Sequence, residues 1–388
     1  MSLKILIISY KHPIENGARA TQLLGILDLL ISEQFEIDLV TRKLDSDTRD
    51  HFRYKLYRLD RIKMNEINEF NFESRFSIYF VRFINRYFPI EHRQSFSLVS
   101  FIEVLKKHKV YDYVVCISNP FSVAFIGYML KKLGIVKKLH VDAGDPFANH
   151  RRYIGKQRFR RIRLIMERLV CQNVDNFVLP VDDITLDFKY LKKNYHIIRQ
   201  IFPIQKRHLN YNVDATLINI HYSGRFYEKY REPYPLFDAM NSMYENGYKI
   251  HFHYFGIEDL TEKMDQYLKS LSLSEVVTIN SVLDREYLLS IMEKMDILIN
   301  ILNTPLSSSN MSGLPSKLVD YQISGSLIFN IDSGESFDKV SDSGRYCTNE
   351  KINIENSLKL IIDNKEYVKK QKNLSHTEGL NSYLNLFK

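Results

Sequence analysis

The chain has 388 residues, of which 45% are apolar and 26% charged. These are the values of ordinary globular proteins, so they exclude a disordered chain, and the length allows two domains with substantial cores. The formal net charge of +8 favours anionic partners, and three widely spaced cysteines predict neither a disulfide framework nor a cysteine-based metal site.

The amino terminus predicts a first strand and no secretory signal. The apolar core of residues 1–9 spans only about five residues, which is too short for the hydrophobic region of such a signal. The longest apolar stretch, 110–130, is interrupted by Asp112, Asn119 and Pro120 and divides into a strand and a helix. We therefore expect no membrane span and a cytoplasmic protein.

Short apolar runs alternate with helix-period segments along the whole chain, which predicts an α/β fold. In the first half we predict strands at 4–9, 35–41, 113–118, 138–141 and 176–179, and helices at 18–33, 95–108, 122–132 and 155–171. A second set of strands follows at 217–222, 249–255, 276–279, 297–300 and 327–330. Two Rossmann-like halves are the simplest account of this order.

The break between the halves is predicted within 199–216, where Pro203 and a polar stretch separate the two sets of strands. We predict an N-terminal domain at 1–205 and a C-terminal domain at 206–369, with a final helix at 370–388 that packs back on the first domain. Residues 42–94 are less regular and longer than an ordinary loop, which favours a functional role.

Neither half carries the G-x-G-x-x-G turn of dinucleotide-binding domains after its first strand. The first loop has Gly17 alone, just before the predicted helix, and the second has Gly224 alone. A dinucleotide-dependent oxidoreductase is therefore disfavoured, because that chemistry needs close approach of the backbone to the cofactor at the first turn.

The strongest functional signal in the chain is a predicted short helix. Ser312 can cap it, Pro315 suits its first turn and Gly325 suits its end. The unpaired N–H groups and the positive dipole end of such a helix bind anions, and Lys317 adds a full charge. Asp320 lies on the same face, where its carboxylate could accept hydrogen bonds from vicinal sugar hydroxyls. Together these residues predict a nucleotide site, with an ordinary capped helix as the alternative.

A cationic loop follows the first strand of the second half. Arg225, Lys229 and Arg231 come after Gly224, and loops at the carboxyl ends of parallel strands line the ligand crevice of such folds. The alternative for each is a solvated surface side chain. Fixed cations and a helix amino terminus can stabilise a leaving nucleoside diphosphate without a metal ion, so we predict no metal and no cofactor.

Two further segments, 51–92 and 151–163, combine basic and apolar residues. Nucleic acid and an anionic membrane surface are both candidate partners of such patches, with a solvated helix face as the alternative. No nucleic-acid-binding motif accompanies the charge. We therefore expect no nucleic-acid partner and favour an anionic membrane surface, with the protein peripheral on the inner face of the cell membrane.

The motifs of the second half resemble those of a known family. Four segments are similar to the donor half of retaining glycosyltransferases of family 4. They are Gly-x-Phe-Tyr from Gly224, Arg-Glu-Pro from Arg231, Asp-Ile-Leu-Ile-Asn from Asp296 and Gly-Leu-Pro-Ser-Lys-Leu-Val-Asp-Tyr from Gly313. The Asp-x-x-Asp-Pro segment from Asp142 resembles, more weakly, a segment of the amino-terminal half. The resemblance implies the GT-B fold, in which two Rossmann-like domains face each other across a cleft.

By this resemblance the chain transfers a sugar with retention of configuration. It implies a nucleotide-sugar donor, with a UDP-sugar favoured, and a growing, lipid-linked bacterial surface glycan as the acceptor. The catalytic candidates are Arg231, Lys317 and Asp145. The donor-binding candidates are Gly17, Gly224, Arg225, Ser312, Gly313, Leu314, Pro315, Ser316 and Asp320. The acceptor-side candidates are His150 and Asp142.

The family commonly has a pair of glutamates with seven residues between them, and here Ser312 and Asp320 occupy the two positions. Asp320 can still hold ribose. Ser312 favours one alternative, a non-catalytic nucleotide-sugar-binding scaffold with the GT-B fold, whereas Arg231, Lys317 and Asp320 favour a transferase. A nucleotide-sugar epimerase with the same fold is a further alternative, although it would need several acid/base side chains and few can be nominated.

Overall fold

The fold is described from a computed structural model of the chain. The structure describes residues 2–15, 17–47, 59–67, 94–118, 120–144, 147–148, 160–180, 185, 188–192, 194–226, 232–256, 262–281, 283–301, 316–331, 344–366 and 374–387. Contacts divide the chain into two compact units, Met1–Pro203 with Thr377–Lys388, and Ile204–His376. The sequence places the boundary between domains after residue 205.

The first unit is built on a parallel sheet with seven described strands. They are β1 (Lys4–Ser9), β2 (Glu36–Arg42), β3 (Lys63–Ile67), β4 (Tyr111–Ser118), β5 (Val136–Ala143), β6 (Asn176–Leu179) and β7 (Tyr195–Ile197). Their order is β3-β2-β1-β4-β5-β6-β7, and each pairing is parallel. β1 is therefore internal, which explains why its apolar run is buried on both faces.

Four helices of this unit are α1 (Ala18–Ser32), α2 (Gln94–Lys106), α3 (Ser122–Lys132) and α4 (Arg160–Asn173). In α1, Leu23, Leu27 and Leu30 recur at helical spacing and are fully buried. They share a core cluster with Ile5 and Ile7 of β1. Each such side chain stabilises the fold by about 1.5–3 kcal/mol when it is fully buried, so this face of α1 fixes the helix on the sheet.

The second unit has a parallel sheet with six described strands. They are β8 (Ile218–Ser223), β9 (Ile250–Phe255), β10 (Val277–Asn280), β11 (Ile297–Ile301), β12 (Leu327–Ile331) and β13 (Gly344–Cys347), in the order β10-β9-β8-β11-β12-β13. The helices are α5 (Tyr234–Glu245), α6 (Glu262–Lys269), α7 (Arg285–Met292), α8 (Ser316–Ser324) and α9 (Lys351–Asp363). The two parallel sheets with alternating helices confirm the predicted α/β class and its two Rossmann-like halves.

The carboxyl-terminal segment belongs to the first unit. Helix α10 (Leu374–Leu384) is followed by a short turn of 3₁₀ helix, Asn385–Phe387. Tyr383 and Phe387 join the core cluster of α1 and β1, and the hydroxyl of Tyr113 donates a 3.2 Å hydrogen bond to the carbonyl oxygen of Phe387. Among the described residues, no helix is both long enough and apolar enough to cross a membrane.

The predicted strands agree closely with those observed, since each begins and ends within two residues of its observed bounds. The sequence patterns do not predict β3, β7 and β13. All three are edge strands: β3 and β7 lie at the two edges of the first sheet, and β13 lies at one edge of the second. Edge strands are short and partly exposed, so they lack the apolar run that identifies an internal strand.

One residue of the predicted basic patch at 151–163 is buried. Arg163 is 2% exposed in α4, so it cannot contribute to a surface patch, and this part of the prediction is wrong. The exposed residues of α4 include Arg160, Arg161 and Arg168, with Ile165 beside them at 57% exposure. The rest of 151–163 and most of 51–92 lie outside the described residues.

Candidate functional site

The carboxyl end of β8 forms a glycine turn. The strand ends at Ser223, and Gly224 follows with a φ of 118°, a conformation that other residues rarely adopt. Its N–H donates a 3.0 Å hydrogen bond to the carbonyl oxygen of Phe255 at the end of β9. Ligands of parallel α/β sheets bind at this edge, and the turn brings Arg225 to it.

Tyr321 fixes helix α8 against the same edge. Its hydroxyl accepts a 3.1 Å hydrogen bond from the N–H of Ser223 and donates one of 3.0 Å to the carbonyl oxygen of Ile299 in β11. Burial raises the pKa of Tyr321 to about 12, so the hydroxyl keeps the proton that it donates. Gly325, with a φ of 76°, follows the helix and confirms its predicted end.

Lys317 lies in the first turn of α8, over an aromatic stack. Its Nζ is 4.1 Å from the centroid of the Tyr222 ring, and that ring stacks on Phe226 with centroids 4.3 Å apart. The hydroxyl of Tyr222 donates a 3.1 Å hydrogen bond to the carbonyl oxygen of Arg225. The ring face attracts the ammonium group and the helix adds its positive dipole end, so positive charge concentrates at this edge.

β8 also contains a buried histidine next to Tyr222 in sequence. His221 of β8 is fully buried, and neither ring nitrogen forms a hydrogen bond with the described residues. Burial lowers its pKa to about 3, and the charges of His253 and Lys317 act in the same direction. His221 is therefore neutral near pH 7, and the positive charge at this position belongs to Lys317.

Asp320 lies three residues beyond Lys317 on α8 and is paired with a residue of α7. The Nε and Nη2 atoms of Arg285 lie 2.8 and 2.7 Å from Oδ1 of Asp320. Burial raises the pKa of Asp320, and Arg285 opposes that shift. The sequence predicts Asp320 as a ribose ligand and gives no sign of Arg285, whose partner lies on another helix.

In the first unit, Gly17 precedes α1 with a φ of 128°. A Cβ atom placed on it would meet no described atom within 4 Å, so the backbone conformation, and not lack of space, favours glycine here. The first turn of α1 has no acidic residue. Its N–H groups therefore lie at the carboxyl end of β1 without a neutralising side chain from that turn, as an anion site requires.

Asp142, near the end of β5, is bound by two residues of α1. Its Oδ1 accepts a 2.9 Å hydrogen bond from Nη1 of Arg19, and its Oδ2 accepts one of 2.8 Å from Nε2 of Gln22. The side chain is almost fully buried; burial raises its pKa and Arg19 opposes the shift. Because both carboxylate oxygens are engaged, Asp142 ties β5 to the start of α1.

Part of the predicted site lies outside the described residues. Arg231, Asp145, His150, Ser312, Gly313, Leu314 and Pro315 lie outside the described residues, and Ser316 is placed only as the first residue of α8. Of the described candidates, the structure brings together Lys317, Asp320, Gly224 and Arg225 at one edge of the second unit; in the first, Asp142 contacts α1, the helix that follows Gly17. Their roles stay predictions.

The sequence analysis assigns no role to three residues that hold predicted site residues in place, each within its own unit. Tyr321 closes the Leu-Val-Asp-Tyr motif, so its place in the motif was a usable signal. Arg285 and Arg19 carry no such signal, because each meets its carboxylate only through packing. Among the described residues, no three His, Cys, Asp or Glu side chains cluster as they would around a metal ion, and metal independence stays a prediction.

Comparison with known proteins gives a likeness in structure alone. No protein-family model matches the chain, and no curated protein matches it. HepE of Anabaena, solved with UDP-glucose, is 11% identical with a TM-score of 0.61, over 97% of this chain and 94% of that one. A variant of S. aureus TarM, solved with Fondaparinux, alpha-GlcNAc-glycerol and UDP, is 10% identical with a TM-score of 0.62, over the whole of both chains.

A proposed UDP-N-acetylglucosamine 2-epimerase from Listeria monocytogenes is also similar, at 11% identity and a TM-score of 0.60, over 100% of this chain and 97% of that one. Identities this low show the fold alone. The likeness extends over both units, and it assigns them to the two Rossmann-like domains of the GT-B fold.

Proposed function

We propose that this protein is a glycosyltransferase that moves a sugar from a UDP-sugar to a carbohydrate acceptor. The observation that carries the proposal is the pair of Lys317 and Asp320 on a helix that Tyr321 fixes at the carboxyl edge of β8. A cation at a helix start and a carboxylate one turn later complement the phosphate and the ribose of a nucleotide. The fold shared with proteins solved with UDP-glucose and UDP supports the same assignment.

The proposed reaction proceeds with retention, by attack on the face that the leaving group departs from. The bond between C1 of the sugar and the diphosphate oxygen breaks, the acceptor oxygen bonds to C1, and the hydroxyl proton passes to the departing diphosphate. No protein base is required. Negative charge grows on the diphosphate, so Lys317, Arg231 and the N–H groups at the start of α8 stabilise the transition state. Fixed cations can do this without a metal ion, and activity is expected to persist in a chelator.

The first unit would bind the acceptor. Asp145 and His150 follow β5 and are the candidates for contact with an acceptor hydroxyl. Asp142 contributes by holding the end of β5 on α1, because both of its carboxylate oxygens are already engaged. The exposed arginines of α4, with Ile165 among them, favour an anionic membrane surface and hence a lipid-linked acceptor, such as a growing bacterial surface glycan.

The test is transfer itself. The purified chain is incubated with a panel of nucleotide sugars and a bacterial membrane lipid extract, with and without chelator. Mass spectrometry should find an acceptor enlarged by one sugar, and NMR of the product should show the anomeric configuration of the donor. Binding of nucleotide sugars without transfer to any acceptor would instead favour the scaffold. Loss of transfer in chelator, restored by magnesium or manganese, would contradict metal independence.

An epimerase is the second candidate, because a proposed epimerase shares the fold over nearly the whole chain. A single measurement distinguishes the two functions. An epimerase converts a nucleotide sugar into its epimer without any acceptor, whereas a transferase releases UDP only as the acceptor is modified. A new epimeric nucleotide sugar in an acceptor-free incubation would replace the transferase assignment.

A further inference from the structure

Arg285 occupies an unfavourable place for a cation unless it has a specific partner. It is the first residue of α7, where the positive end of the helix dipole disfavours a positive side chain. Its side chain is only 14% exposed, so it has also lost most of its hydration. The observed compensation is Asp320 on the adjacent helix α8, 17% exposed, with which it forms a close ion pair.

The ion pair is one-sided. Both the Nε and Nη2 atoms of Arg285 approach Oδ1 of Asp320, at 2.8 and 2.7 Å. No hydrogen bond to Oδ2 is formed by the described residues. A carboxylate oxygen has room for two hydrogen bonds, so Oδ2 retains the capacity to accept from a pair of neighbouring hydroxyls.

We propose that Arg285 is the positioning residue for ribose recognition: it fixes Oδ1 of Asp320 so that Oδ2 is presented to the two ribose hydroxyls of the nucleoside diphosphate. This inference rests on the proposed function and adds a residue to the same site. The side chain of aspartate is one methylene shorter than that of glutamate, so its carboxylate can reach fewer positions. The hydrogen bond from Nε of Arg285, with Nη2 in close ionic contact with the same oxygen, compensates by holding Oδ1 in place.

The ion pair also controls the charge of the Asp320 carboxylate. Burial raises the pKa of Asp320 and Arg285 opposes that rise, while Glu286 of α7 adds to it. Tyr321, the next residue on α8, has a pKa raised to about 12 and stays neutral. Without Arg285, the carboxylate would therefore take up a proton at higher pH than in the natural protein and lose one of its acceptor sites.

The first experiment measures binding of UDP, GDP and ADP, each beside its 2′-deoxy counterpart, by calorimetry. The natural protein should prefer the nucleotide that carries both hydroxyls, by about tenfold, the value of one hydrogen bond to a charged group. Arg285→Gln should reduce this preference to near unity, and Arg285→Lys should restore part of it. Arg207→Gln is the matched control, because Arg207 also contacts α7, with Cζ 4.9 Å from the Tyr287 ring centroid, and should keep the full preference.

The second experiment repeats the UDP titration from about pH 8 to about pH 5. In Arg285→Gln, affinity should begin to fall at higher pH than in the natural protein, because the protonated Asp320 no longer accepts both hydroxyls. With Asp320→Asn present, Arg285→Gln should cause no further loss of hydroxyl preference, since the arginine acts through the carboxylate. Thermal unfolding of each variant identifies any that do not fold.

The outcomes separate the two proposals. A natural protein that binds none of these nucleotides would overturn the proposed function and this inference with it. A natural protein that binds UDP, with a folded Arg285→Gln variant that keeps both the hydroxyl preference and the natural pH profile, would overturn the role of Arg285 alone. Arg285→Gln effects that persist unchanged in the Asp320→Asn background would overturn it as well.

Discussion

Arg19, in the first turn of α1, donates a 2.9 Å hydrogen bond from Nη1 to Oδ1 of Asp142, 123 residues later at the end of β5. The pair is buried, since Arg19 is 9% and Asp142 2% exposed. The start of α1, which follows β1, and the end of β5 are thereby held together at the carboxyl edge of the first sheet. Gly144 makes room for this contact, because a Cβ atom there would lie 1.5 Å from Nη2 of Arg19.

Gly144→Ala should therefore displace the guanidinium and break the ion pair. Breaking a buried pair costs about 3–5 kcal/mol when one charge is left uncompensated, and we expect a loss of folding stability of a few kcal/mol in urea unfolding. Gly379→Ala in α10 is the control, because its Cβ atom would meet its nearest neighbour at 3.8 Å. In an Arg19→Ala background, Gly144→Ala should have little further effect; an undiminished loss there would contradict the steric explanation.

Lys317→Ala should weaken UDP binding at least about tenfold, because it removes a charge-assisted contact to phosphate of about 1.5–3 kcal/mol. Lys263→Ala is a matched control: Lys263 also lies over a tyrosine ring, 5.6 Å from the centroid of Tyr234, but on α6. Calorimetry with UDP measures both variants. If the two variants bind UDP as tightly as the natural protein, the diphosphate does not lie at the start of α8.

Asp320→Asn should mainly raise the donor KM and leave kcat nearly unchanged. The reason is that ribose contacts persist from the ground state to the transition state, so their loss is a uniform binding effect. Steady-state kinetics with a saturating acceptor separate the two constants. A variant with an unchanged KM and a much reduced kcat would place the carboxylate at the reacting sugar instead of at ribose.

Neutralising Arg160, Arg161 and Arg168 together should abolish binding to anionic liposomes, because each cation near such a surface contributes about 1 kcal/mol. Arg163 is left unchanged, since it is buried. Co-sedimentation should increase with anionic lipid and decrease with salt. The control is a variant in which Lys131, Lys132 and Lys137 are all changed to Gln. It removes the same number of positive charges outside α4 and should still bind anionic liposomes. Equal recovery in the supernatant with neutral and anionic vesicles at low salt would remove the support for a membrane partner.

Folding stability should fall in mild acid, partly through His140. This residue is 2% exposed in β5, and burial lowers its pKa from 6.5 to about 3. Between these values the unfolded chain binds a proton that the folded protein does not, so stability is complete above about pH 6.5 and declines as the pH falls towards 3. The expected loss from His140 is about 2 kcal/mol at about pH 5.

Urea midpoints measured across this range, for the natural protein and for His140→Gln, test the assignment. The variant should show a shallower decline with falling pH, whatever its stability at neutral pH. Identical slopes in the two proteins would show that His140 titrates normally in the fold.

Local sequence was sufficient for the α/β class and for most elements. β1 and β11 are mostly apolar, because an internal parallel strand is buried on both faces, and that pattern can be read without knowledge of its neighbours. The end of α8 at Gly325 was equally predictable, since the left-handed conformation there favours glycine. Lys317 and Asp320 could be nominated together because helical spacing brings them to one face.

Tertiary structure alone decided which charged residues meet. Arg285 pairs with Asp320 across 35 residues, and Arg19 with Asp142 across 123, and no periodic pattern links either pair. Arg163 reads as part of a basic surface segment, yet packing buries it, because a charged side chain has the same sequence signature whether water or protein surrounds it. Hydrophobic periodicity is a local property of the chain, whereas the ion pairs of Asp320 and Asp142 form only because packing within each unit brings distant segments together.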